Sequence, residues 1–203
     1  MKALIIVDLQ NDFTPGGSLA VADGDSIIKR INELQNKFDL VVATQDWHPA
    51  NHKSFASQHP DQKVFDVIDW KGKSQTLWPD HCVQETKGAE LHKDLDQKKV
   101  RAIFRKGLNP DIDSYSAFFD NHHSQNTGLH GYLKDLKVTE VFVCGLAADF
   151  CVYFTAMDAL ELGYKTHILE RATKAINQDD FNNKIKVFIE KGGNLTSFIE
   201  HPL

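Results

Sequence analysis

This sequence has little cysteine, no long apolar run and no excess of positive charge, and each shortage excludes something. Its three cysteines, Cys82, Cys144 and Cys151, are an odd number spread over 203 residues. That is too sparse for the disulfide framework of a small secreted domain and fits the reducing cytoplasm. The N-terminal apolar run extends only from Ala3 to Val7 before Asp8 interrupts it. It is too short for a signal sequence or a membrane span and reads as a first strand. Lysine and arginine number 23 against 28 aspartates and glutamates, for a net charge of −5. The lysines are scattered rather than gathered into a stripe, so neither nucleic acid nor a membrane is expected as a partner. No repeat, low-complexity tract or linker interrupts the chain, and residues 1–203 are expected to form one domain.

What the chain does have is alternation. Short apolar runs at Ala3–Val7, Leu40–Thr44, Val100–Phe104, Val141–Cys144, Lys165–Leu169 and Leu195–Phe198 are separated by helical patterns. This is the mark of an α/β domain with a parallel sheet. Between the first two runs, Ile27, Ile28, Ile31, Leu34 and Phe38 fall at helical spacing. Further helices are expected at Leu129–Leu136, Asp149–Leu162 and Asp180–Glu190, with Gly163 and Gly192 as stop signals after the last two. The stretches Gln45–His81 and Gly107–Asn126 fit neither period. Both follow strands, and long irregular segments in compact domains are functional loops more often than filler.

In an open α/β sheet, ligands bind beyond the carboxyl ends of the strands. The polar residues there are Asp8 after the first run, Asp46 and His48 after the second, Lys106 after the third, and Cys151 beyond Val-Cys-Gly. Cys151 falls where a helix is expected to begin, with Asp149 as its N-cap. Helix N-termini favour anions and lower a thiol's pKa. The same position suits a small buried hydrophobe, and Cys144 and Cys82 read that way. Lys106 at a buried strand end needs an anion, and both Asp8 and a thiolate would serve. Asp8 could then carry a proton between thiol and leaving group. A structural Asp8–Lys106 ion pair remains an alternative.

Asp46 and His48 are two residues apart, so on an extended segment both side chains point one way. His81 would come from the end of the following loop. Two imidazoles and one carboxylate suit zinc, iron or manganese. His52 stands near enough to contribute through a water. His122 and His123 read as a solvated loop, and His59, His92 and His130 as surface residues.

Taken in order, Ile6-Val-Asp-Leu-Gln-Asn-Asp-Phe13, Asp46-Trp-His-Pro-Ala-Asn-His52, Leu77-Trp-Pro-Asp-His-Cys-Val83, Phe104-Arg-Lys-Gly107 and Gly145-Leu-Ala-Ala-Asp-Phe-Cys-Val152 resemble the nicotinamidase and pyrazinamidase branch of the isochorismatase-like cysteine hydrolases. The resemblance runs nearly the whole length. It implies a three-layer α/β/α fold around a doubly wound, six-stranded parallel sheet. It implies a triad of Asp8, Lys106 and Cys151, and one divalent transition-metal ion on Asp46, His48 and His81, zinc first, with iron or manganese as alternatives. It further implies a cis peptide between Leu146 and Ala147, an oxyanion hole from the Ala147 and Cys151 N–H groups, and a ring site walled by Phe13, Trp78 and Tyr115. The implied activity is hydrolysis of nicotinamide, and of pyrazinamide, to the acid and ammonia in NAD salvage. A homo-oligomer stays open. Ala148 departs from the family, where many members carry threonine; this touches one hydroxyl contact. The rival readings are an amidase for N-carbamoyl compounds or other small amides, a metal-hydroxide amidase, and a non-catalytic binding module.

Overall fold

A strand buried on both faces must be apolar throughout, and Ala3–Val7 is wholly inaccessible. It forms most of β1 (Lys2–Val7), which pairs in parallel with β2 (Leu40–Asp46) on one side and β6 (Glu140–Leu146) on the other. The computed structural model describes residues 1–197. Within it, β5 (Val100–Lys106) adds outside β2, while β7 (Lys165–Lys174) and β8 (Asn194–Thr196) continue beyond β6. The sheet order is β5-β2-β1-β6-β7-β8, and every pairing is parallel. The chain thus winds outward from β1 in one direction, returns to β6, and winds outward in the other. The crevice between β1 and β6 is the switch point at which such sheets bind ligands.

Helices cover both faces. Ile28, Ile31 and Leu34 of α1 (Ile28–Leu34) pack on Leu4, Ile6, Phe142 and Cys144. The opposite face, with Ala3, Ile5, Val7, Val141 and Val143, is covered by α2 (Leu129–Asp135), α3 (Tyr153–Glu161) and α4 (Gln178–Glu190). Each fully buried aliphatic side chain contributes about 1.5–3 kcal/mol, so this sandwich is a rigid platform for whatever its strand ends carry. Among the described residues no helix is long and apolar enough to cross a membrane.

Several expectations change in detail. Phe38 lies past the end of α1 in extended backbone, yet its ring still packs on Phe142 at 5.0 Å. The stretch Gln45–His81 contains a two-stranded antiparallel hairpin, β3 (Val67–Trp70) and β4 (Lys73–Thr76). The helix expected from Asp149 begins instead as a π turn, Ala148–Val152, and becomes α-helical only at Tyr153. Asp149 does not cap it: its carboxylate accepts the N–H groups of Ile176 and Asn177, at 2.9 and 2.8 Å. Asn177 is the side-chain cap of α4, which starts two residues earlier than expected, at Gln178. Phe198, placed in the last strand by its hydropathy, lies outside the described residues.

The switch point depends on Gly145. Its φ of +108° favours glycine, and a Cβ there would strike the backbone carbonyl oxygen of Val7 on β1. Gly145→Ala is therefore expected to destabilise the protein by about 2 kcal/mol or more. Chemical denaturation would measure it; parental stability would show that β1 and β6 can part without cost.

Candidate active site

Strands β2 and β5 run past their apolar segments, so Asp46 and Lys106 are still in the sheet and stand side by side in register. Asp8 follows β1 directly, with a left-handed φ of +46°. Cys151 sits in the π turn after β6, so four strand ends converge at the crevice. Lys106 is 2% exposed. Its Nζ donates to Asp46 Oδ1 at 2.6 Å, to the Ser114 carbonyl at 2.8 Å and to Cys151 Sγ at 3.5 Å. An ammonium has three hydrogens, and those three contacts use them. Asp8 Oδ2 also lies 2.8 Å from Nζ but takes no aligned hydrogen bond. Its other oxygen accepts the Thr44 hydroxyl at 2.6 Å. Carboxylate oxygens of Asp8 and Asp46 lie with Cys151 Sγ inside a 4.8 Å cluster.

The electrostatics follow from burial. Desolvation pushes Lys106 toward neutrality, but Asp46, Asp8 and Cys151 override it and hold the ammonium protonated. Desolvation raises the Asp8 carboxyl, and Lys106 offsets it only in part. The Cys151 thiol is pushed well above its usual range by burial, with Asp8 and Asp46 adding to the shift and Lys106 opposing it. This reverses the expectation of a thiol acidified by a helix N-terminus. The turn is π rather than α, and the lysine's charge is shared with two carboxylates. The resting state is therefore a protonated thiol beside a carboxylate of raised basicity, an arrangement built for proton transfer.

On the far side of Asp46 stand the histidines. Asp46 Oδ2 lies 3.5 Å from His48 Nε2 and 3.7 Å from His81 Nε2. His48 Nδ1 lies 3.1 Å from the Gly107 carbonyl and His81 Nδ1 2.8 Å from the Pro79 carbonyl. Carbonyls accept only, so both Nδ1 atoms carry hydrogen, and both Nε2 atoms face the carboxylate. His48 Nε2 is buried without a partner. Oriented imidazoles with carbonyls behind them and an orphaned nitrogen in front fit a metal ion. His52 packs on His48 with its ring tilted by 50°, 4.3 Å between ring centroids, and its Nε2 is likewise buried without a partner. Burial, reinforced by His48, lowers it to about 4, so it is neutral near pH 7. His123 is exposed and pairs with Asp158, while His59, His92, His122 and His130 are half-buried rather than fully surface-exposed, away from this cluster.

Against Cys151, Asp46 and His81 lies a cavity of about 20 Å³ whose lining also includes Phe13, Trp78, Tyr115 and Ala147. The Leu146–Ala147 peptide beside it is cis. Trp78 donates its indole N–H to the Tyr115 hydroxyl at 3.3 Å and meets Phe150 edge-on at 4.9 Å. Sequence reasoning missed Leu19, Asp113, Phe150 and Ile176 in this lining. It also missed Gln10, whose amide accepts from the Asp46 N–H and donates to the Asp46 carbonyl, both at 2.8 Å. Its two-residue spacing from Asp8 was the available signal.

The chain matches the family model described as Isochorismatase domain over residues 2–200. It is 51% identical to a nicotinamidase of Escherichia coli (strain K12), covering 87% of this chain and 84% of that protein. A solved Acinetobacter baumanii nicotinamidase/pyrazinamidase superposes with a TM-score of 0.93 at 48% identity, covering 96% of this chain and 94% of that one. A pyrazinamidase of Pyrococcus horikoshii in complex with zinc gives a TM-score of 0.80 at 37% identity, covering 97% and 99%. Fold, strand-end site and these matches agree: the chain belongs to the isochorismatase family.

Proposed function

We propose that this protein hydrolyses nicotinamide to nicotinate and ammonia through a thioester on Cys151, accepts pyrazinamide as well, and so serves NAD salvage. The observation that carries the reading is the buried cluster of Cys151, Asp8 and Lys106 opening onto a cavity with aromatic walls. The relatives named for nicotinamide hydrolysis supply the substrate class.

Asp8 takes the thiol proton, and the Cys151 sulfur attacks the amide carbon. The Ala147 and Cys151 N–H groups face the oxygen as it gains charge. Asp8 returns the proton to the departing nitrogen, the C–N bond breaks and ammonia leaves a nicotinoyl thioester. Asp8 then takes a proton from water, the resulting hydroxide displaces the sulfur, and the thiol is restored. Lys106 stays charged throughout and offsets negative charge at sulfur and carboxylate. Asp46, His48 and His81 would hold one divalent ion, and zinc fits their two nitrogens and one oxygen; bound there, it supplies an electrophilic contact for the ring nitrogen. Phe13, Trp78 and Tyr115 would grip the ring faces and edges.

Cys151→Ala is expected to keep the fold and lose about 10³-fold or more in ammonia release. Turnover near the parental rate would favour a metal-bound hydroxide as nucleophile.

Asp8→Asn keeps shape but cannot shuttle a proton, so kcat should fall about 10²-fold or more. Because burial raises Asp8, kcat/KM in the parent should decline with falling pH from above the ordinary carboxylate range. The base is lost as it protonates, so the decline is toward acid. A parental kcat in the variant would remove Asp8 from proton transfer.

Benzamide differs from nicotinamide only by lacking the ring nitrogen. If that nitrogen meets a polar anchor on the Asp46 side, benzamide should be at least about a hundredfold poorer in kcat/KM, while pyrazinamide remains a substrate. Equal rates for benzamide would leave only aromatic packing in ring recognition.

A further inference from the structure

We infer that Asp12 is a positioning residue that locks the two histidines of the metal cluster to the aromatic wall at Phe13; this rests on the metal-binding reading above. Asp12 sits in the short 3-10 turn Asn11–Phe13 that follows β1. Its Oδ2 accepts the Cys82 N–H at 2.7 Å, a contact between segments seventy positions apart. Cys82 is the residue through which both histidines are held. It follows His81 in the chain, and its carbonyl accepts the His48 N–H at 3.0 Å. It also has a φ of +46°, a left-handed conformation that favours glycine and needs an external hold in any other residue.

The rest of Asp12 faces the substrate wall. Its Oδ1 accepts the Ser18 N–H at 3.3 Å and its carbonyl accepts the Leu19 N–H at 3.1 Å, and Leu19 lines the cavity. The next residue, Phe13, packs on the His81 ring at 5.5 Å. One side chain therefore sets the spacing between ion ligands and ring wall. The sequence makes room for it: a Cβ on Gly88 would run into the Asp12 carboxylate. Asp12 touches neither Cys151 nor Lys106 in any of these contacts, so its influence is on ring and ion binding rather than on the nucleophile.

The test is zinc affinity of metal-free protein, measured by competition with a chromogenic chelator, together with KM, kcat and the alkylation rate of Cys151 in the metal-free form. Asp12→Ala should weaken zinc binding by about tenfold or more, the usual effect of losing a group behind a metal ligand. KM should rise more than kcat falls, with alkylation unchanged. Asp12→Asn still offers an oxygen to the Cys82 N–H and should recover most of the affinity. Gly88→Ala leaves Asp12 in the sequence but displaces its carboxylate, and should behave as Asp12→Ala does. Parental zinc affinity in Asp12→Ala would overturn the inference. So would slowed alkylation in step with lost affinity, which marks general loosening. Should Asp12→Ala fail to fold, parental affinity in Gly88→Ala overturns it instead. A parent protein that binds no zinc would remove the metal-binding reading itself, and this inference with it.

Discussion

A protonated amine buried at the end of a sheet is the constraint on which this site turns. Moving an ammonium out of water costs several kcal/mol even after relaxation, and Lys106 meets that cost with two carboxylates, a carbonyl and a sulfur. The partners come from different parts of the fold: β1, β2, the loop after β5 and the turn after β6. Only parallel strands whose carboxyl ends share one edge bring such residues together, and only a switch point leaves room between two of them. The ammonium therefore connects topology to chemistry. Burial, with the two carboxylates adding to it, is why the neighbouring thiol holds its proton; two carboxylates around one cation also leave negative charge that suits a second cation on the Asp46 side.

Much of this was legible in the residues, for identifiable reasons. The strands that matter are buried on both faces, so Ala3–Val7 and Val141–Cys144 appear as continuous apolar runs. The polar residues that end those runs mark the site without any knowledge of strand order. The hairpin Val67–Trp70 and Lys73–Thr76 was not legible. It lies on the outside, with alternate residues exposed in its first strand and Lys73 and Ser74 both exposed in its second, and Asp69, Lys71 and Lys73 give it the composition of a loop. Asp149 misled because an aspartate before a helix is ordinarily its cap, whereas here the carboxylate reaches the loop before α4. That tertiary bond serves the site, since Ile176, one of the two amides it holds, belongs to a cavity-lining residue.

The grouping of Asp46, His48 and His81 was legible in spacing but not in support. Asp46 and His48 share a face of one extended segment, as the period of two requires. The carbonyls of Gly107 and Pro79 that fix the imidazole tautomers carry no side-chain signature, so nothing in the sequence could name them. Gln10 is an intermediate case. Its amide mimics a neighbouring strand, pairing with both the N–H and the carbonyl of Asp46, and fixes the carboxylate that everything else addresses.

Asp46 also explains why ring recognition and bond cleavage belong to one unit. Its Oδ1 faces the ammonium at 2.6 Å, while Oδ2 faces His48 and His81. A cation held by the histidines would draw on the same carboxylate charge that now neutralises Lys106. Asp46 is thus the carboxylate shared by the ammonium and the histidine pair, and the two halves of the site meet at its two oxygens. The charges on both sides of that carboxylate belong to strand ends and the segments beside them, so they stand in place before any ring arrives.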